Sequence, residues 1–421
     1  LAKVQGRAVQ DGARKGALAL LAGLREGRTL ADQAGRLNHL SQGDRARAQR
    51  LALAVLRHRD RADAVLGRFL QRKPRPEAAD VLRLATVEML ELGEAPHGAV
   101  NAAVDLMRGM GKKGQAAAGM VNAVLRKVAD VTDWADLPVQ PLPNWLRKAL
   151  VAAYGREAVT AMEAAHQAGA PLDLTLKPGA VAPEGEMLPT GSVRLAGSPQ
   201  LSALPGFDAG DWWVQDVAAA LAAKLLNVQP GERVLDLCAA PGGKTLQLAA
   251  AGALVTAVDI SDQRMARVAE NLARCDLTAD LVTADALEYR PETPPDAILL
   301  DAPCSATGTI RRHPDLPLLR DGDGVAEIAK LQAALIDHAV DMLPLGGRLV
   351  FATCSLLPAE GEDQLAAALT RHPGLEVIRP DADWVEPGWL TDAGALRLRP
   401  DFWADRGGMD GFFITSLRKT A

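Results

Sequence analysis

The apolar positions of this chain change rhythm along its length. Through residues 1–130 they recur at helical spacing. Val121, Val124, Leu125 and Val128 fall at i, i+3, i+4 and i+7, with Arg126 and Lys127 in the last turn. Leu82, Ala85, Met89 and Leu92 line one side of 77–92, which Gly93 ends. No stretch here alternates as a strand, so the pattern predicts an all-α domain. From Arg233 on, the rhythm becomes short apolar runs: Val234–Leu237, Leu254–Val258, Leu281–Val282, Ala297–Leu300 and Leu349–Phe351. Helices at about 241–250, 262–275, 325–342 and 360–371 separate most of them. Buried strands alternating with helices predict a parallel sheet covered on both faces, with ligands at the carboxyl ends of the strands. Leu375–Ile378 and Phe412–Leu417 predict a final pair of strands.

Between the two patterns, 130–143 is rich in Pro and Asp and reads as a linker. Residues 144–168 read as helical. Short apolar pieces at 172–176 and 193–195 follow among Gly and Pro, and Val214, Val217, Leu221 and Leu225 would line a helix. The division expected is an all-α domain at 1–132, a helical and short-strand connector at 140–205, and an α/β Rossmann-like domain at 206–421.

Composition adds one substantial point. The apolar fraction of 48% and charged fraction of 24% are those of a globular protein, and no apolar run approaches a membrane span. Residue 1 is Leu, so trimming of an earlier start is expected. The four cysteines fit neither a disulfide framework nor a zinc pattern, so reduced thiols, a cytoplasmic location and no metal are expected. The net charge of −5 conceals an asymmetry. Residues 1–130 hold 23 Lys and Arg against 13 Asp and Glu, leaving 24 against 39 for the rest. A basic module joined to an acidic one suits a protein that holds nucleic acid with one part and does chemistry with the other. The segment 44–61 carries Arg45, Arg47, Arg50, Arg57, Arg59 and Arg61, whose spacing suggests one exposed face for phosphates.

Candidate chemistry begins at the turn Cys238-Ala239-Ala240-Pro241-Gly242-Gly243-Lys244-Thr245, between a strand and a helix. A phosphate loop is one reading, but it needs Gly where Cys238 stands, and Pro241 offers no amide. A nucleoside fits better. Asp259 ends the next strand, where a doubly wound fold meets ribose hydroxyls. Asp285 follows the third strand, suited to an adenine edge, and Asp301 ends the fourth. With Asp236 they form four acidic strand ends in register. A nucleoside without pyrophosphate, such as S-adenosylmethionine, is the ligand expected. Lys244, opposing the macrodipole at a helix start, should answer a nearby carboxylate.

Cys304 and Cys354 each stand just beyond a strand's carboxyl end, and each is followed by Ser. Paired thiols there suit one reaction. Carbon 5 of cytosine attacks a methyl group only after a thiolate has added at carbon 6, and its proton must then be removed. A carboxyl group at ring nitrogen 3, as Asp301 could supply, would stabilise the adduct. Cys275 reads as filler, Cys238 as backbone and packing, and His97 as a helix-start residue.

Two resemblances join these pieces. Arg50-Leu-Ala-Leu-Ala-Val-Leu-Arg57, the segment from Pro96 and Val121-Asn-Ala-Val-Leu-Arg126 resemble the NusB-type RNA-binding helical domain. The motifs 238–244, Asp301-Ala-Pro-Cys304-Ser and Thr353-Cys354-Ser355 resemble those of the RNA cytosine-carbon-5 methyltransferases, and the whole arrangement resembles the Fmu/RsmB-type 16S rRNA family. The resemblance implies a class I methyltransferase domain behind a NusB-like one, acting as a monomer on small-subunit ribosomal RNA. It also implies S-adenosylmethionine bound by Cys238, Ala239, Ala240, Pro241, Gly242, Gly243, Lys244, Asp259, Asp285 and Asp301. Cys354 would be the nucleophile, and Cys304 would assist proton removal and release. Ala306 departs from the pattern, where the wider family often has Gly. Arg311-Arg312-His313-Pro314 resembles a substrate-facing segment or else a solvated basic turn. A tRNA or large-subunit rRNA target, or a non-catalytic RNA-binding factor, are the alternatives.

Overall fold

The computed structural model describes residues 2–197 and 199–421, with side chains from residue 12 on. Its contacts divide into two compact units: residues 1–147 with 312–321, and residues 148–311 with 322–421.

The first unit is helical. It contains α1 (Ala2–Leu24), α2 (Gln42–Arg57), α3 (Arg59–Gly67), α4 (Pro76–Leu90), α5 (Pro96–Gly109) and α6 (Gly111–Val128). Ser41 caps α2 by accepting the Asp44 amide, and prolines open α4 and α5, where their missing N–H costs nothing. Leu20, Leu51, Val55, Leu82, Leu84, Val121 and Leu125 meet in one core. Leu82, Ala85 and Met89 are buried as expected, but Leu92 lies past the end of α4 and is exposed. The basic segment 44–61 is not one helix. It breaks at His58, whose ring is buried 6.0 Å from that of Trp134 and 3.5 Å from a Glu91 oxygen. The arginines therefore do not share one face: Arg50 is exposed, Arg47 pairs with Glu94 at 2.7 Å, and Arg61 donates to the Pro138 carbonyl.

Helices α7 (Asn144–Tyr154) and α8 (Arg156–Ala168) meet at Gly155, whose φ of +82° suits a residue without Cβ. A small antiparallel sheet follows, of β1 (Leu172–Leu176), β2 (Glu186–Met187), β3 (Val193–Leu195) and β4 (Trp212–Val214), in the order β2-β3-β1-β4. The buried pair Arg194–Asp173 joins β3 to β1 through two hydrogen bonds of 2.7 and 2.8 Å. Val214, expected on a helix, ends β4 instead and is exposed; α9 (Val217–Leu226) begins after its cap, Asp216.

The large sheet alternates with helices through β5 (Arg233–Leu237), α10 (Gly243–Ala250), β6 (Leu254–Asp259), α11 (Asp262–Arg274), β7 (Asp280–Thr283) and β8 (Ala297–Asp301). A short α12 (Leu316–Leu319) lies in the segment grouped with the first unit. Then come α13 (Val325–Met342), β9 (Arg348–Thr353), α14 (Glu362–Arg371), β10 (Leu375–Val377), β11 (Leu396–Leu398) and β12 (Phe412–Lys419). The order is β10-β12-β9-β8-β5-β6-β7, with β11 on β12. Strands β9, β8, β5, β6 and β7 run parallel, and β12 returns antiparallel against β9. The expected Rossmann-like sheet is therefore present. The chain order turns back between β5 and β8, and such a switch point opens a crevice at the carboxyl ends of the strands. No helix among the described residues is long and apolar enough to cross a membrane.

Candidate active site

The turn after β5 is held from several sides. Cys238 adopts a left-handed φ of +61°, the Ala239 amide donates to the Val258 carbonyl, and the Ala240 amide donates to Asp259 at 3.2 Å. Gly242, at φ +98°, precedes α10; a Cβ there would come within 2.9 Å of Val268. Lys244 then meets the carboxylate expected of it, its Nζ lying 2.6 Å from Asp301 Oδ2. Burial works against the Lys244 ammonium, yet Asp301 outweighs it and holds the group above its ordinary range. The turn's basic residue is thus engaged by a carboxylate, a poor arrangement for polyphosphate.

The four acidic residues separate into two kinds. Asp236 is not a strand-end ligand-facing group. It lies within β5, fully buried, accepting the Thr245 hydroxyl at 2.6 Å, and burial pushes its pKa up to about 7. Asp259, Asp285 and Asp301 stand at or just past the ends of β6, β7 and β8. Asp259 accepts the Ser261 amide at 2.9 Å and pairs with Arg264 at 2.7 Å, so internal donors orient it. Asp285 is half-buried and accepts the Leu287 amide.

Register explains how the cysteines meet. Strands β8 and β9 are paired to Asp301 and Ala352, and the Ala302 amide still donates to the Ala352 carbonyl. Just beyond, Cys304 and Cys354 leave the sheet with their sulfurs 3.3 Å apart. The Gly308 amide donates to the Cys354 carbonyl at 2.9 Å, closing one loop on the other. Ala306 stands at φ +55°, a left-handed position where a glycine would be unstrained, so its methyl group is accommodated at some local cost. The hydrogen bond to Cys304 raises the Cys354 thiol well above its ordinary value, and burial adds to this. Cys238 is pushed up to about 12, mainly by burial, and Cys275 is buried at the end of α11.

Arg311 does not fit either expectation for the 311–314 segment. It is fully buried, pairing with Asp216 at 3.1 Å and Asp410 at 3.2 Å, and donating to the Gly407 carbonyl at 2.7 Å. It anchors the chain after the Cys304 loop. Sequence reasoning also missed Glu360, fully buried beneath both cysteine loops, and Gln332 beside it. The repeated Ser after each Cys was the visible trace of that carboxylate. His97 is exposed near the start of α5, 3.1 Å from Asn101.

The family described as 16S rRNA methyltransferase RsmB/F matches residues 223–418, and the NusB family matches 11–130. Ribosomal RNA small subunit methyltransferase B of Pseudomonas syringae is 37% identical over 417 residues, covering 91% of each chain. The Pseudomonas putida protein of that name is 36% identical over 416 residues, covering 91% of this chain and 93% of its own. In fold, the crystal structure of PH0851 covers 97% of this chain and 98% of its own, with a TM-score of 0.74 and 22% identity. A methyltransferase homolog protein from Pyrococcus horikoshii gives a TM-score of 0.55 at 25% identity, covering 65% of this chain and 93% of its own. With a Rossmann-like domain that sets two cysteines together at its strand ends and a helical domain before it, the chain belongs to the RsmB/F family of 16S rRNA methyltransferases and carries a NusB-family domain at its N-terminal end.

Proposed function

We propose that this protein methylates carbon 5 of a cytosine in small-subunit ribosomal RNA, through a covalent bond between Cys354 and the base. The observation that carries the reading is the 3.3 Å approach of Cys304 and Cys354, beside the Asp301–Lys244 pair at the carboxyl edge of the sheet. The names of the relatives support the RNA, and the basic balance of residues 1–130 supports a helical domain that grips phosphates. In this reading residues 1–132 bind RNA, 140–205 connect, and 206–421 carry out the chemistry.

The methyl donor is S-adenosylmethionine, which supplies an electrophilic methyl group on a sulfonium. The residues fit such a ligand: a narrow turn over 238–244, carboxylates at Asp259, Asp285 and Asp301, and a lysine already neutralised. Asp259 would take the ribose hydroxyls and Asp285 the adenine edge. The Cys354 sulfur adds to carbon 6 of cytosine as its thiol proton passes to ring nitrogen 3, and the Asp301 carboxylate accepts the new N–H. Carbon 5, now electron-rich, would take the methyl group as the donor's methyl–sulfur bond breaks and a neutral thioether leaves. Cys304 removes the remaining carbon 5 proton, the 5,6 double bond returns, and the carbon–sulfur bond to Cys354 breaks.

The test is methylation of unmodified 16S RNA by the purified protein, read by bisulfite mapping. One protected cytosine, absent with Cys354→Ala, is expected. Methylation confined to tRNA or large-subunit rRNA would overturn the substrate, and full turnover by Cys354→Ala would overturn the chemistry.

A further inference from the structure

Each cysteine is followed by a serine, and both serines turn onto the same buried carboxylate. The Ser305 and Ser355 hydroxyls donate to Glu360 Oε2, the latter at 2.5 Å, and the Ser305 amide donates to Oε1 at 2.8 Å. Gln332 Nε2 reaches Oε1 at 3.2 Å and the Pro303 carbonyl at 2.8 Å. The Glu360 carbonyl accepts the Thr353 hydroxyl at 2.8 Å. Thr307 fills the space between, 3.3 and 3.2 Å from the two serine hydroxyls, and accepts the Leu356 amide. Glu360, Ser355 and Gln332 are fully buried, and Ser305 and Thr307 nearly so.

Taking a carboxylate wholly out of water is costly, and here neutral donors satisfy it. Apolar packing would hold two loops together at lower cost, but it is not directional. Hydrogen bonds to one carboxylate fix distance and orientation together. The strand ladder cannot do this, because its pairing of β8 with β9 ends at Asp301 and Ala352, before either cysteine.

We propose that Glu360 is a positioning residue that sets the separation of the Cys304 and Cys354 sulfurs by clamping the serine next to each. The part of this that concerns turnover rests on the methyl transfer proposed above; the geometric part does not. The decisive probe is therefore disulfide formation in the full-length protein with diamide, a two-electron oxidant. The two thiols lose two electrons and two protons to its N=N bond and form one S–S bond. Peptide mass mapping follows the Cys304–Cys354 product over time. Wild type should pair the two readily, whereas Glu360→Gln should slow pairing about tenfold. Glu360→Gln should also lower kcat about a hundredfold, the scale of an ångström's misplacement, with KM for RNA and for S-adenosylmethionine little changed. Ser355→Ala, which keeps the carboxylate and most of its donors, should shift both readouts in the same direction by a smaller factor, and it decides the matter if Glu360→Gln does not fold. Pairing at the wild-type rate in the folded variants, or a kcat loss only in step with KM, would overturn the proposal. Slowed pairing in a protein whose wild type methylates no cytosine would uphold the clamp and reject the reaction.

Discussion

The Cys304 sulfur lies 3.3 Å from the Cys354 sulfur, and this contact, more than burial, holds the Cys354 thiol above its ordinary pKa. Removing the Cys304 thiol should therefore lower the Cys354 pKa and raise its thiolate fraction near neutral pH. In Cys304→Ala, alkylation of Cys354 by iodoacetamide at pH 8 should run several-fold faster, on the order of tenfold. An unchanged or slower rate, followed by mass mapping, would show that Cys304 does not restrain its neighbour.

Lys244 and Asp301 form the other pair at the strand ends. Lys244 is buried, and its ammonium also lies 5.5 Å from the centre of the Phe412 ring. Lys244→Met would leave Asp301 facing the crevice without its cation. Because the Asp301 side chain is 30% exposed, the cost should fall below that of breaking a fully buried pair, at about 2 kcal/mol. Urea unfolding at pH 7 measures it; a loss below about 0.5 kcal/mol would mean that water already screens the pair.

His166 makes stability depend on acid. Both ring nitrogens are buried without a hydrogen-bond partner, and burial, helped by Arg311, lowers the pKa from 6.5 to about 3. Above pH 6.5 the ring is neutral folded and unfolded alike. Below it, the unfolded chain takes a proton that the native state refuses down to about pH 3, so stability falls with pH across that window. Asp236, raised to about 7, acts in the opposite sense, stabilising toward acid between its unfolded and folded values. Comparing wild type with His166→Leu isolates the first effect. Between pH 6.5 and 5 the wild type should lose about 2 kcal/mol more than the variant. Parallel denaturation curves at the two pH values would contradict this.

What was legible in the chain was whatever periodicity or a strand end marks. The parallel strands and their helices stand close to the predicted positions, because a buried strand is a run of apolar residues and each helix shows its repeat. The Lys244 pairing followed from a cation at a helix start, which needs an answering anion. Strand β11 was hidden because Arg397 occupies its centre, buried and bound to Glu362 and to the Ser355 carbonyl. Asp236 was counted among the acidic strand ends because sequence does not separate a residue within a strand from one at its end. Arg311 sits in a basic triplet that looks solvated, and its partners Asp216 and Asp410 lie far away along the chain. Glu360 stands in the run Glu360-Gly-Glu-Asp, which reads as the acidic first turn of a helix. Its partners come from α13 and from both cysteine loops, a convergence made only by folding.

The proposed covalent bond between Cys354 and RNA is the centre of the account, and trapping it is the most direct test. Cys304→Ala, incubated with 16S RNA and S-adenosylmethionine and run on a denaturing gel, should accumulate a protein–RNA species, because the step that frees Cys354 lacks its base. That species should vanish in the double variant Cys304→Ala/Cys354→Ala, and peptide mapping should find the nucleotide on Cys354. An adduct that persists without Cys354, or a Cys304→Ala enzyme that turns over normally with no adduct, would contradict it.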